Sequence, residues 1–266
     1  MLFSVTEITL IRAAQCGFNP SGNEGLLFGE IQQFHIKLLF ISCLSDVHTL
    51  FCMQAGTHRY SYQELDARMI ACGVGPDLRK MIHSTAEFHS YPAPGVLIGA
   101  FMVDYALELL GANPGLKLYT VCETPKCAPD AVQAIAHCTT GNNRLRVLPI
   151  GKFAITMNAA CETPTADAVR VYVDLNKLKK FKIIDIWYAN SPAFEKATMR
   201  ELLQEEIFRA GRDILSWERV RVGTSTKRKW QSVTCPGCGE TVPDYLVEGD
   251  HCAACGSLKY YEKIPC

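Results

Sequence analysis

Cys235-Pro-Gly-Cys238-Gly239 and Cys252-Ala-Ala-Cys255-Gly256 stand near the end of the chain, with thirteen residues between the two pairs. Each Cys-x-x-Cys can close a knuckle that aims two sulfurs at one ion, and the glycine after each pair permits the positive φ of a tight knuckle. The four thiolates predict a closed tetrahedral zinc site with no position left for water, hence a structural metal. Without it the tail has too few large apolar residues to fold alone. His251 reads as a neighbour of the site, not a ligand.

Working outward, the whole composition fits a reducing compartment. The chain has 266 residues and 13 cysteines, an odd number, and no secretory signal opens it, so thiols and metal ligands are expected rather than disulfides, in a cytoplasmic protein. Hydrophobic residues make up 48%, enough for one substantial core plus a small appended module. Net charge is zero, which removes any global attraction to nucleic acid or anionic membrane. The greasy stretch 36–53 is interrupted by Lys37, Asp46 and His48, so no membrane span is expected.

Local signals then divide the chain. Residues 1–60 lack a sustained period and read as an N-terminal extension, with Met53 a candidate start. Ser61-x-x-Glu64 is a capping box for a helix ending at Gly73, and Gly75-Pro76-Asp77 opens a second helix that carries His83 and ends near His89. The rigid turn 91–95 delivers a third helix over 96–110, apolar on nearly every side. Residues 116–121 read as a buried strand, followed by Cys127 at the mouth of a short helix reaching about His137. A helix N-terminus favours thiolate, which makes Cys127 a candidate ligand or nucleophile.

Further strands are expected at 145–148, 153–157, 169–173 and 181–188, with the lysines at 177–182 forming a solvated hairpin tip. Thr198-x-x-Glu201 caps a linker helix whose stripe is Met199, Leu203, Ile207, Ala210 and Ile214. The expected class is α+β: a mixed core over 61–190, a helical linker over 191–226 and a zinc ribbon over 227–266. Thr226-Lys-Arg-Lys-Trp230, just before the ribbon, would suit phosphate contacts or serve as an exposed linker.

His89, Pro94 and Gly95, then Cys127, Asp130, Ala131 and Gln133, then Cys138, Thr139 and Gly141, then Gly151 and Lys152 follow one another in an order that resembles the FmdE family, named for formylmethanofuran dehydrogenase. The resemblance covers about half the chain and implies a mixed core that carries a C-terminal ribbon through a helical linker. It also implies a core metal or ligand site at His89, Cys127 and Cys138, with Cys122 a substitute ligand, a second zinc or other transition metal there, and an anion contact at Lys152. Tyr91 and Ala93 stand where the family pattern has a second His and a Cys.

The family's enzyme fixes carbon dioxide on methanofuran with a molybdenum or tungsten pterin and iron–sulfur clusters, yet no motif for either cofactor is present here. The resemblance therefore implies a zinc-binding accessory protein, a homodimer, whose partners are subunits of a molybdenum- or tungsten-dependent one-carbon enzyme. A ligand-sensing regulator or adaptor whose ribbon binds nucleic acid or protein is the alternative, and a small enzyme using Cys127 a third.

Overall fold

The computed structural model describes residues 61–112, 116–224, 229–262 and 264. The expected N-terminal extension, with Met53, and most of the basic run before Trp230 lie outside the described residues. The described residues belong to the second of two compact units, Thr57–Cys266. Among them no helix is long and apolar enough to cross a membrane.

Three helices build the first layer. Helix α1 (Tyr62–Ala71) starts where Ser61 Oγ accepts the Glu64 N–H at 3.3 Å, as the capping box predicts, and stops at Gly73 with φ +79°. Helix α2 (Pro76–Phe88) opens on its proline and closes with His89 as C-cap. Helix α3 (Pro94–Leu109) is buried almost all round, from Val96 through Val103, and is the central helix of the core. Its few charges are used: Arg212 clamps Asp104 and Glu108 and lies over the Tyr105 ring.

The second layer is a five-stranded sheet. Its strands are β1 (Leu118–Cys122), β2 (Leu145–Val147), β3 (Ala154–Ala159), β4 (Thr165–Val173) and β5 (Leu215–Gly223), in the order β2-β1-β3-β4-β5. Only β1 and β2 run parallel, because helix α4 (Ala128–Ala136) supplies the crossover between them. Alternation sorts the faces. Leu118, Cys122, Ile155, Met157, Val169, Val171 and Leu215 join the helices in one apolar core. Arg170 belongs to the opposite face, where it grips Glu123 through two bonds of 2.6 and 2.9 Å and reaches Glu218 at 2.8 Å.

Two expectations need correction. The strand expected at 181–188 is a helix, α6 (Lys182–Tyr188), preceded by the single turn α5 (Leu175–Leu178), so the lysines do not form a hairpin tip. The cause is tertiary: Glu206 accepts the Ile184 N–H at 2.7 Å, capping α6, while Ile184 is fully buried. Glu206 lies on α7 (Lys196–Ala210), the expected helix after Asn190, which begins at Glu195 as N-cap, three residues before Thr198. Leu203, Ile207, Ala210 and Ile214 of the anticipated stripe are buried, and Gln204 donates to the Pro92 carbonyl at 2.8 Å. The second difference is at 215–223. That stretch, within the expected helical linker, pairs along β4 from Val173↔Leu215 to Thr165↔Gly223, so the sheet runs well past Asn190.

The tail forms two small hairpins, β6 (Ser232–Thr234) with β7 (Thr241–Pro243), and β8 (Val247–Glu248) with β9 (His251–Cys252). Together with the layered core they make an α+β chain with a ribbon-like tail.

Candidate metal centre and core site

Each hairpin of the tail delivers one cysteine pair. After β6 the chain turns so that Gly239 N–H donates to the Cys235 carbonyl at 2.8 Å, with Gly239 at φ +76°, the conformation anticipated for a knuckle. At the end of β9, Cys255 and Gly256 N–H groups both donate to the Cys252 carbonyl, at 2.9 and 3.1 Å. Gly256 is not at positive φ, contrary to expectation; its value is space. A Cβ there would lie 2.9 Å from the Glu248 carboxylate, which holds the turn by accepting from Ser257 N–H at 3.0 Å and Ser257 Oγ at 2.7 Å.

The four sulfurs of Cys235, Cys238, Cys252 and Cys255 lie within 4.8 Å of one another. Cys235–Cys255 and Cys238–Cys252 are each separated by 3.9 Å. A tetrahedral ion with metal–sulfur bonds of about 2.3 Å has sulfur–sulfur edges of about 3.8 Å, so the set fits such an ion as it stands. Its electrostatics fit as well. The Cys252 N–H, 3.3 Å from Cys235 Sγ, leads a group of backbone donors that hold the Cys235 thiol down at about 6. Cys255, crowded by Cys252 and the other sulfurs, is pushed up to about 12. Four thiolates at these distances require a cation between them. His251 is engaged by Asp250 and stands outside the sulfur group, as expected.

The core site is organised by the start of α4. Cys127 is the N-cap of that helix with φ +57° and ψ −55°, and the Ala128 N–H donates back to the Lys126 carbonyl at 2.6 Å. This is a γ-turn of the rare, strained hand, in a residue that carries a Cβ. It is held from outside: a Cβ on Gly95 would lie 2.9 Å from Cys127 Cβ and 3.0 Å from its Sγ, so α3 presses directly on the turn. One turn into α4, Asp130 Oδ2 meets His89 Nδ1 at 2.5 Å, and the His89 ring lies 5.0 Å from that of Tyr91. Asp130 also acts electrostatically on Cys127. Thus His89, Asp130 and Cys127 share one corner, built from the end of α2 and the start of α4.

The expected activation of Cys127 is not realised. Burial, and then the Asp130 charge, raise its pKa, so the thiol stays protonated. Its side chain caps none of the helix N–H groups, and the dipole's help is outweighed. Cys138 and Cys122 are elsewhere, on the buried side of β1. Cys138 donates its thiol to the Leu118 carbonyl at 3.2 Å, while burial, with Cys138 beside it, pushes Cys122 up to about 12. Both behave as structural cysteines. Among the described residues, three or more potential ligand atoms converge at the ribbon and not at His89 and Cys127. Lys152, the expected anion contact, has the Glu123 carboxylate as its electrostatic partner, and together with Arg170 holds that group below the usual carboxylate range.

Sequence reasoning missed the role of Asp130 as the partner of His89. Its spacing three residues after Cys127 was visible, but the 41-residue separation from His89 was not bridged by any local signal.

Comparison with known proteins bears on both sites. A family model described as "FmdE, Molybdenum formylmethanofuran dehydrogenase operon" matches residues 88–222. The solved structure of an FmdE-like protein of tungsten formylmethanofuran dehydrogenase, from Syntrophus aciditrophicus, is 36% identical, with a TM-score of 0.58 over 69% of this chain and 95% of that one. A probable S-adenosyl-L-methionine-binding protein of Archaeoglobus fulgidus is 33% identical over 110 residues, 39% of this chain. The matched stretch spans only 29% of that relative's length.

Proposed function

The chain belongs to the FmdE family, and from that premise we propose that it is a zinc-binding accessory protein of a molybdenum- or tungsten-dependent one-carbon enzyme, acting as a homodimer and leaving the redox chemistry to other subunits. The observation that carries the reading is the convergence of four ribbon sulfurs at tetrahedral spacing on a chain whose core matches this family. Zinc is the ion that suits four thiolates without a redox role. The ribbon is then a rigid docking module, and the core offers its partner a ligand pocket at His89, Asp130 and Cys127. The methionine derivative named for the Archaeoglobus relative is not carried over, since the match covers a minor part of that protein.

Charge decides between protein and nucleic acid as the ribbon's partner. From Lys229 to Cys266 the sequence has three lysines (229, 259, 263) against five carboxylates (Glu240, Asp244, Glu248, Asp250, Glu262). Four thiolates around a divalent ion add a further net negative charge. An acidic module that exposes Trp230, Tyr245 and Tyr260 is repelled by a phosphate backbone and suits a protein surface.

Deleting the gene tests the assignment. The molybdenum- or tungsten-dependent one-carbon activity of the cell should fall, and the full chain, but not a Cys238→Ser variant, should restore it. Unchanged activity in the deletion would reject the accessory role.

A further inference from the structure

A cavity of about 440 Å³ opens where the sheet ends, well within the size range of small-molecule sites. Tyr119 and Asn158 stand opposite one another in the β1–β3 register and line it, with Val222 of β5 as a second apolar wall. Arg144 and Arg146 line it from the β2 side. Neither guanidinium makes an ion pair or side-chain hydrogen bond with a described residue, whereas Arg170, Arg212 and Arg79 are all engaged by carboxylates. Asn158 is the independent sign of a ligand. It is only 6% exposed, its Nδ2 donates to the Ala159 carbonyl at 2.9 Å, and its Oδ1 has no hydrogen-bond partner among the described residues. A buried amide oxygen left open to a cavity is a costly feature unless something donates to it.

We propose that this cavity binds a small organic anion composed of a flat polar ring and a phosphate, of the nucleoside monophosphate type. The two guanidiniums supply forked donors for the phosphate oxygens. Tyr119 and Val222 cover the faces of the ring, and Asn158 Oδ1 accepts from an N–H on its edge. Glu162, the one carboxylate in the lining, is exposed and leaves the two arginines in excess. The site shares no residue with His89, Asp130 and Cys127, so it stands or falls independently of the accessory reading.

The test is calorimetric titration of the full chain with adenosine 5′-monophosphate, adenosine and inorganic phosphate. Adenosine 5′-monophosphate should bind at least about tenfold more tightly than either fragment, because only it reaches both halves of the cavity. Arg144→Ala with Arg146→Ala should weaken it by about tenfold or more without lowering Tm, since neither side chain has a structural partner. Lys80→Ala, remote and exposed, should change nothing. Failure of adenosine 5′-monophosphate to bind, or equal binding by the double variant, overturns the proposal.

Discussion

Replacing Gly95 by alanine should destabilise the core through Cys127. Gly95 lies in the first turn of α3, where alanine is intrinsically favoured by up to about 1 kcal/mol. The new Cβ, however, would lie 2.9 Å from Cys127 Cβ and 3.0 Å from Sγ, against a comfortable carbon separation of ~3.5–4.0 Å. Neither neighbour is the end of a flexible chain: the Cys127 turn is fixed by the Ala128 N–H···Lys126 carbonyl bond and by α4 behind it. Helix α3 must therefore move, and overpacking of this kind costs about 1–3 kcal/mol, leaving a net loss of roughly 1–2 kcal/mol. For a chain of this size that is a Tm drop of about 3–6 °C. Cys127→Gly removes the obstructing atoms and tolerates φ +57°, so relief of strain roughly offsets the lost thiol contacts and the added chain entropy. Gly95→Ala combined with Cys127→Gly should then recover most of the loss, whereas Cys127→Ala, which keeps the Cβ, should not. Scanning calorimetry of the four proteins gives the cycle. Effects that add to within about 0.5 kcal/mol would refute the claim that α3 and the strained turn are in direct steric contact.

Glu123→Gln should destabilise the chain by about 1–3 kcal/mol at pH 7, because the carboxylate holds two bonds to Arg170 and Arg170 keeps only Glu218 afterwards. The sign with pH follows from the depressed pKa of Glu123: its contribution is present above the unfolded value of about 4.3 and is lost as pH falls through the folded value. The Tm gap between wild type and variant should therefore narrow below about pH 4, and a gap constant down to pH 3 would remove Glu123 from the account. Gln204→Leu should lower stability by about 1–3 kcal/mol and speed hydrogen exchange at the start of α3, since the Pro92 carbonyl loses its buried donor. Unaltered exchange from Val96 to Ala100 would show that this bond does not anchor the helix.

What could be read from the sequence was whatever depends on neighbours along the chain. Ser61 capping α1, prolines at the starts of α2 and α3, and paired Cys-x-x-Cys knuckles are local devices, and each appears where its residues predict it. The 181–188 stretch failed because its helix is capped by Glu206, from a different element, and its apolar residues fit a strand or a buried helix equally well. The 215–223 strand failed for the same reason: its alternation is regular, but its partner β4 lies beyond two helices, and Arg170–Glu218 is a contact across 48 residues. At the core site the helix end predicted a thiolate. Depth of burial and the approach of Asp130 decide that question, and neither is a property of the local sequence.

The strained turn at Cys127 and the departures at Tyr91 and Ala93 lead to one expectation about metal content. Strain of this size persists only where surrounding structure fixes it, and here Gly95, α4 and the His89–Asp130 bond do so together. The pattern that the core resembles has a His and a Cys where this chain has Tyr91 and Ala93, so two candidate ligands are gone from beside His89. The imidazole nitrogen that could have met a metal through Nδ1 is bonded to Asp130, Cys127 is protonated, and Cys122 and Cys138 are committed to the buried side of β1. A geometry kept under strain but stripped of ligands suits a binding pocket better than a metal cage. The full chain should accordingly hold about one equivalent of zinc, all of it lost in Cys238→Ser and none of it in Cys127→Ala or His89→Ala, as measured by elemental analysis of the folded proteins. A second equivalent that survives Cys238→Ser and disappears with Cys127 would place a metal in the core and overturn this reasoning.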